Sequence, residues 1–298
     1  MLEYVNYIRK NNLGVVYTNK TFKTLTTIKI GGKIRLLYYP NTMGNFIKFY
    51  RFYLDNKKYP INIIGNGSNI LASDKEYEGV LVCFKKIHFK YAICNNVFSV
   101  TSGVMINDCI HYLKNISKGC FEKLYYIPAT IGGMVKMNAG AYNCNISDNI
   151  LNIKTIDNKG KIKVYKKEEL IFEYRKTNID EIILEVSFVL HNENKEKIKK
   201  ELEEIKKNRL NKYPLSFYNA GSTFKNPVDN KSWLLIDRLG LRGLNINDAQ
   251  VSNKHCNFLI NIRNSSSDDM VKLLNLVKDK VKNAYNINLE CEWNLINF

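Results

Sequence analysis

An apolar run at 61–64 passes directly into Gly65-Asn66-Gly67-Ser68-Asn69, and the next apolar run, 79–84, is again strand-like. Two glycines, a hydroxyl and two amides straight after a strand let successive backbone N–H groups converge on one anion. A Rossmann fingerprint needs a helix opening at the third glycine of G-x-G-x-x-G, so that its dipole faces a pyrophosphate. Here Ile70 and an ordinary loop follow, so that plan is excluded. Two readings stay open, a glycine turn between strands and a phosphate nest of another fold.

A second loop of the same kind comprises Ile127-Pro128-Ala129-Thr130-Ile131-Gly132-Gly133 and Met137-Asn138-Ala139-Gly140-Ala141-Tyr142. The chain holds only 16 glycines, so two such loops argue a shared role, with one extended dinucleotide spanning both. Around them the pattern is α+β. Residues 34–39 read as a strand stopped by Pro40, and Thr42 caps a helix carrying Phe46, Ile47, Phe49, Tyr50, Tyr53 and Leu54. Hairpins are expected around Asn95-Asn96 and around Asp157-Asn158-Lys159-Gly160, with an amphipathic helix near 106–116 between them. A charged helix over 194–210 buries Ile198, Leu202 and Ile205, and the domain border is placed at its start. Ser265 to Asp269 caps a helix burying Met270, Leu273, Leu274, Val277 and Val281, and a strand over 288–296 is expected last.

The composition excludes disorder and fibre, since 45% of the 298 residues are apolar. Lys and Arg outnumber Asp and Glu by 45 to 28, a charge of +17 that favours anionic partners, although heavy use of Lys throughout makes part of it bias rather than site. Seven cysteines with no CxxC pair point to a reducing cytoplasm without disulfide framework, zinc knuckle or other metal site. They read as small apolar residues, Cys256 and Cys291 standing beside the candidate site. The first residues turn polar too soon for a signal peptide, and no apolar run approaches the roughly 20 residues of a membrane span.

Asn219 to Pro227 places Ser222 after a glycine, but there is no G-x-S-x-G elbow, and His88, His111, His191 and His255 show no pattern of a base partner. Serine-hydrolase chemistry is not expected. Alone, Arg175 and Glu292 would read as surface charges.

Together the segments resemble the UDP-N-acetylenolpyruvoylglucosamine reductase family. The resemblance rests on residues 26–32, Gly65 to Asn69, Ile127 to Tyr142, Tyr174-Arg175, Gly221 to Pro227, Gly240-Leu241-Arg242-Gly243, Val251 to Asn261 and Leu289 to Glu292, in that order. It covers about residues 20–298 and fits the shorter subtype, without the extra tyrosine-bearing loop. It implies a vanillyl-alcohol-oxidase-like (PCMH-like) FAD-binding domain of two lobes over residues 1–193, divided near 72–80, and an α+β substrate-binding domain over 194–298. The implied activity is FAD-mediated, NADPH-dependent reduction of UDP-N-acetylglucosamine enolpyruvate to UDP-N-acetylmuramate in cell-wall synthesis, by a cytoplasmic enzyme, monomeric by preference, with no nucleic-acid or membrane partner.

By the same resemblance FAD contacts Gly65, Asn66, Gly67, Ser68 and Asn69, and Pro128, Ala129, Thr130, Gly132, Gly133, Asn138, Ala139, Gly140 and Ala141. Hydride passes from flavin N5 to the vinyl carbon. Arg175 and Glu292 hold the carboxylate and Ser222 delivers the proton, while Tyr174, Lys212, Asn226, Arg242 and His255 bind substrate. The chain departs from the pattern at Tyr126, Ala129 and Asn143, where glycine is common, and at Met134, where a small residue is usual. Asn247-Asp248 replaces a glycine pair, and Asn294 an arginine. Two other readings are a flavin oxidase acting on another substrate and a basic protein gripping nucleic acid through 195–212. The carboxyl-terminal motifs weigh against the first, and alternating acids on that helix against the second.

Overall fold

The computed structural model describes residues 1–87 and 91–298, so His88 lies outside the described residues. The chain forms two compact units. One comprises Met1–Thr18, Arg35–Asn66 and Glu78–Lys207, the other Asn19–Ile34, Gly67–Tyr77 and Asn208–Phe298.

The first unit carries two sheets. In one, the order is Gly14–Tyr17, Ile34–Pro40, Tyr77–Cys83, Ile61–Ile64, the last pair running parallel. The helix Met43–Asp55 starts where the Thr42 hydroxyl accepts the Asn45 N–H at 3.1 Å, and its Phe46, Phe49, Tyr50 and Tyr53 bury against Leu36, Tyr38, Val80 and Val82. Each fully buried side chain of this size stabilises by about 1.5–3 kcal/mol. The other sheet is antiparallel, in the order Ile162–Lys166, Ile150–Ile156, Ile182–Val189, Val97–Thr101, Tyr91–Cys94. Both expected hairpins lie here. Asn95 and Asn96 adopt φ of 48° and 61°, the left-handed pair of a tight hairpin turn that matches strand twist. The helices Ile106–Asn115 and Ile131–Lys136 contribute to the core of this sheet.

In the second unit, Tyr218–Asn219, Leu259–Asn261, Ala249–Val251 and Asn245–Ile246 form a sheet whose core is shared by the helix Ser267–Tyr285. Ser266 and Asp269 close a capping box at its start, and its buried face is the one the periodicity predicts.

Two expectations about boundaries change. The units part between Lys207 and Asn208, inside the helix Lys195–Lys212, rather than at its start. Residues 19–34 and 67–77 also go with the carboxyl-terminal segment because they are bonded into it. Asn261 donates to the Ile28 carbonyl at 3.0 Å, Ser267 and Asp74 bond reciprocally, and Ile70–Ala72 pairs parallel with Asn294–Ile296. The terminal strand is shorter than expected, Asn294–Ile296 alone. Before it the chain makes a single bridge, Phe224 to Cys291, and that pairing cannot run past Pro227, which has no N–H to give.

Four of the cysteines, Cys83, Cys109, Cys120 and Cys256, are buried; Cys94 is exposed, and all seven are free thiols. Among the described residues no helix is long and apolar enough to cross a membrane, and no cluster of three or more His, Cys, Asp or Glu could hold a metal ion.

Candidate active site

In the first unit the two small-residue loops meet. The strand Ile61–Ile64 delivers Gly65 so close to the second loop that a Cβ there would stand 2.4 Å from Thr130 Oγ1. Asn66 Nδ2 donates to the Pro128 carbonyl at 2.8 Å, while its Oδ1 accepts from Lys85 Nζ at 2.6 Å. The Asn66 side chain is therefore spent on holding loops together. Lys85, which the motifs did not single out, puts a positive charge beside the nest.

Thr130 caps the helix Ile131–Lys136. Its approach runs through Tyr126, whose φ is 67° and whose N–H is held by Asn107 Oδ1 at 2.9 Å. Asn143 and Asn247 also lie in the left-handed region, at 57° and 49°. Three of the departures from the resemblance are thus true glycine-type positions filled by residues with a Cβ, at about 1–2 kcal/mol each, less for Asn. Ala129 has no positive φ, and Met134 is absorbed into the core, so these two strain nothing.

Asn138 anchors the next turn by donating to the Glu173 carbonyl at 3.0 Å. Its Oδ1 is buried with no hydrogen-bond partner in the protein, as is Ser102 Oγ, whose carbonyl accepts the Gly132 N–H. Buried polar atoms left open beside loops of small residues fit a large polar ligand such as FAD.

Tyr174-Arg175 forms the two-residue turn between Phe172–Glu173 and Lys176–Thr177. Arg175 takes φ of 58° at the place where such a turn usually has glycine. A residue with a Cβ in that region is a strained backbone position. Its guanidinium lies 4.8 Å from the Tyr174 ring and donates to the Gly140 carbonyl at 3.3 Å, which ties it to the second loop.

The second unit holds the other half of the glycine loop. Gly67, at φ 65°, packs so tightly that a Cβ would meet the Leu25 carbonyl at 2.5 Å. Asn69 is bonded to the carboxyl-terminal segment: its Nδ2 donates to the Glu292 carbonyl at 3.0 Å, and its own carbonyl accepts the Asn294 N–H at 3.0 Å. On the other side the Glu292 N–H donates to the Thr223 carbonyl at 2.8 Å. Ser222 and Glu292, seventy residues apart in sequence, thus stand on adjoining backbones. The Ser222 hydroxyl makes no hydrogen bond among the described residues.

Of the remaining expected residues, Arg242 is pinned by Asp237, with Nε to Oδ1 at 2.6 Å and Nη2 to Oδ2 at 3.0 Å, and by the Asn253 carbonyl at 2.5 Å. Three of the five guanidinium N–H donors are used, which leaves two. His255 sits among the rings of Tyr213, Trp233 and Phe258. Burial first, then the charges of Lys212 and Arg242, lower its pKa to about 4, so the imidazole is neutral at pH 7. Asn226 Oδ1 accepts the Ser232 N–H at 3.1 Å, and Lys212 lies over the Tyr213 ring. Cys256 donates toward Asp237, and burial with that carboxylate raises its thiol pKa to about 11; burial raises Cys291 also. Neither is a reactive thiolate. Asp237 and Asn257 carry no sequence signal of their own; the first reveals itself through Arg242, five residues on, and the second through Phe224, thirty-three residues back.

The fold and loops of small residues define an FAD-dependent oxidoreductase. The FAD binding domain family matches residues 35–165, and the C-terminal domain family of UDP-N-acetylenolpyruvoylglucosamine reductase matches residues 213–296. The UDP-N-acetylenolpyruvoylglucosamine reductase of Clostridium botulinum (strain 657 / Type Ba4) is 35% identical over 299 residues, 99% of this chain and 96% of its own length. That of Fusobacterium nucleatum is 34% identical over 280 residues, 93% of this chain and 98% of its own. The crystal structure of UDP-N-acetylenolpyruvylglucosamine reductase from Thermus caldophilus superposes with a TM-score of 0.79 at 27% identity, over 95% of this chain and 99% of that one. The chain belongs to the UDP-N-acetylenolpyruvoylglucosamine reductase family.

Proposed function

We propose that the protein reduces UDP-N-acetylglucosamine enolpyruvate to UDP-N-acetylmuramate for peptidoglycan synthesis, as a cytoplasmic monomer with NADPH as reductant. The unit ending at Lys207 serves mainly the cofactor and the unit containing Asn208–Phe298 mainly the substrate. The chemistry FAD supplies when bound is hydride transfer, from NADPH and then to the enolpyruvyl vinyl carbon. Gly65, Asn66, Gly67 and Ser68 offer it backbone N–H groups, and Pro128, Ala129, Thr130, Gly132, Gly133, Ala139, Gly140 and Ala141 allow close approach of backbone, with Asn138 Oδ1 as a polar contact.

Arg175 binds the substrate carboxylate with a two-pronged donor set that tightens as charge builds there. Glu292, when protonated, donates to the same oxygens. Ser222 Oγ delivers its proton to the adjacent carbon, supported by Lys212 and Asn226. Arg242, with its two remaining donors, meets a phosphate; neutral His255 and Tyr174 complete the substrate contacts.

What supports this reading most is the backbone bond between Glu292 and Thr223, the residue after Ser222, which sets the candidate proton donor and carboxyl on neighbouring segments. The test is an absorbance spectrum of the FAD-loaded protein under anaerobic conditions. NADPH is expected to bleach the flavin, and colour returns only when the enolpyruvyl sugar nucleotide is added. Colour that returns without it, or never, overturns the assignment.

A further inference from the structure

We propose that Asn257 is a positioning residue that fixes the Ser222 hydroxyl for proton delivery, an assignment that rests on the reductase reading above. Asn257 is 4% exposed, and its carboxamide spans the backbone of Phe224. Nδ2 donates to the Phe224 carbonyl at 2.8 Å, and Oδ1 accepts the Phe224 N–H at 2.9 Å. Its own carbonyl accepts the Thr223 N–H at 2.8 Å. The side chain thus imitates a neighbouring strand where the sheet supplies none, and only a group with donor and acceptor side by side can do so.

The hold matters because of what lies on either side of it. Upstream, among the described residues, Gly221 at φ 76° is held only by its N–H, which donates to Asn219 Oδ1 at 3.0 Å, so that side alone does not fix the hydroxyl. The downstream residues do: Thr223 Oγ1 accepts the Leu259 N–H at 3.0 Å, and the Thr223 carbonyl accepts the Glu292 N–H. Asn257 therefore sets the frame from which Ser222 projects and to which Glu292 is tied. A hydroxyl is a weak acid, and its usefulness depends on being held at the carbon it protonates.

The experiment uses the FAD-loaded Asn257→Ala protein, with FAD affinity from flavin fluorescence and the two half-reactions followed separately. FAD affinity and flavin reduction by NADPH are expected to stay within about twofold of the parent, while reoxidation by UDP-N-acetylglucosamine enolpyruvate slows about a hundredfold. Its solvent deuterium isotope effect should rise as protonation becomes limiting. Asn257→Asp gives a second reading and decides alone if the alanine protein does not fold. Its carboxylate cannot donate to Phe224, but its carboxylic acid can, so reoxidation relative to the parent's at the same pH should recover as pH falls from about 8 to about 6. Equal loss in both half-reactions, weakened FAD binding, or no recovery of Asn257→Asp at low pH overturns the proposal. If the parent itself is not reoxidised by that substrate, the reductase reading falls, and this role with it.

Discussion

The loops around Pro128 and Asn138 and the strands around Ser222 and Glu292 are built on opposite principles. In the first, Tyr126, Asn138, Tyr142, Asn143 and Arg175 all hold left-handed backbone, and buried polar atoms of Ser102 and Asn138 have no partner within the protein. In the second, Thr223, Phe224 and Glu292 are bonded through their backbones, and the buried Asn257 amide is bonded through both its oxygen and its nitrogen. One region holds left-handed backbone at five residues, whereas the other is tied by backbone and amide bonds, its open buried atoms, Trp293 Nε1 and His255 Nδ1, lying off that ladder. Cofactor loops need to give way to a large flat molecule, while a proton donor must not move.

The sharpest break of that contrast is Ser222→Ala. It should leave reduction of the flavin by NADPH intact and slow reoxidation by roughly 10²–10⁴-fold, the usual range for a lost general acid, in stopped-flow absorbance. A loss shared by both half-reactions removes Ser222 from the chemistry.

A smaller effect lies in His255. Its folded pKa, about 4, is below the ordinary 6.5, so its contribution is present above pH 6.5 and lost as pH falls toward 4. Urea unfolding should show about 2–3 kcal/mol less stability at pH 4 than at pH 7 from this group, a slope that His255→Gln removes. Lys212 and Arg242 face the ring as charges, so burial and both cations act in the same direction.

Saturating FAD should next distinguish the two regions directly. At a hundredfold excess over Kd it stabilises by about 2.7 kcal/mol. Hydrogen exchange should slow at 126–145 and change little at 223–225. Protection of both segments alike contradicts the contrast.

The smallest effect is Tyr126→Gly, which relieves left-handed strain but frees the unfolded chain and forfeits the Lys206 contact, 5.9 Å from the ring. A net gain of about 0.5 kcal/mol in chemical denaturation is expected.

Much of this was legible in the sequence where the signal is local. Asn95-Asn96 announces its hairpin, Thr42 and Ser266 announce their helices, and the spacing of Met270 to Val281 gives the buried face. The glycine-rich loops were legible as a pair, and the structure joins them through Asn66 and Pro128. What could not be read is how polar side chains are spent. Arg242 is largely committed to Asp237, and Asn69, expected at the cofactor, gives its amide to the Glu292 carbonyl. The first spans only five positions but depends on the turn after a short helix, and the second spans 223, and no periodicity encodes either. The same holds for residues 67–77, whose membership of the second unit is decided by a ladder with 294–296.

That ladder also sets an order of assembly. Asn69 and Glu292 lie 223 positions apart, so the parallel pair at 70–72 has no partner until nearly the whole chain has been made. The first unit has all its segments once Lys207 has left the ribosome, whereas the second must wait for Ile296. During synthesis Ile70–Ala72 is therefore an unpaired strand edge, the segment through which an unfinished chain is most exposed to wrong partners and to chaperones.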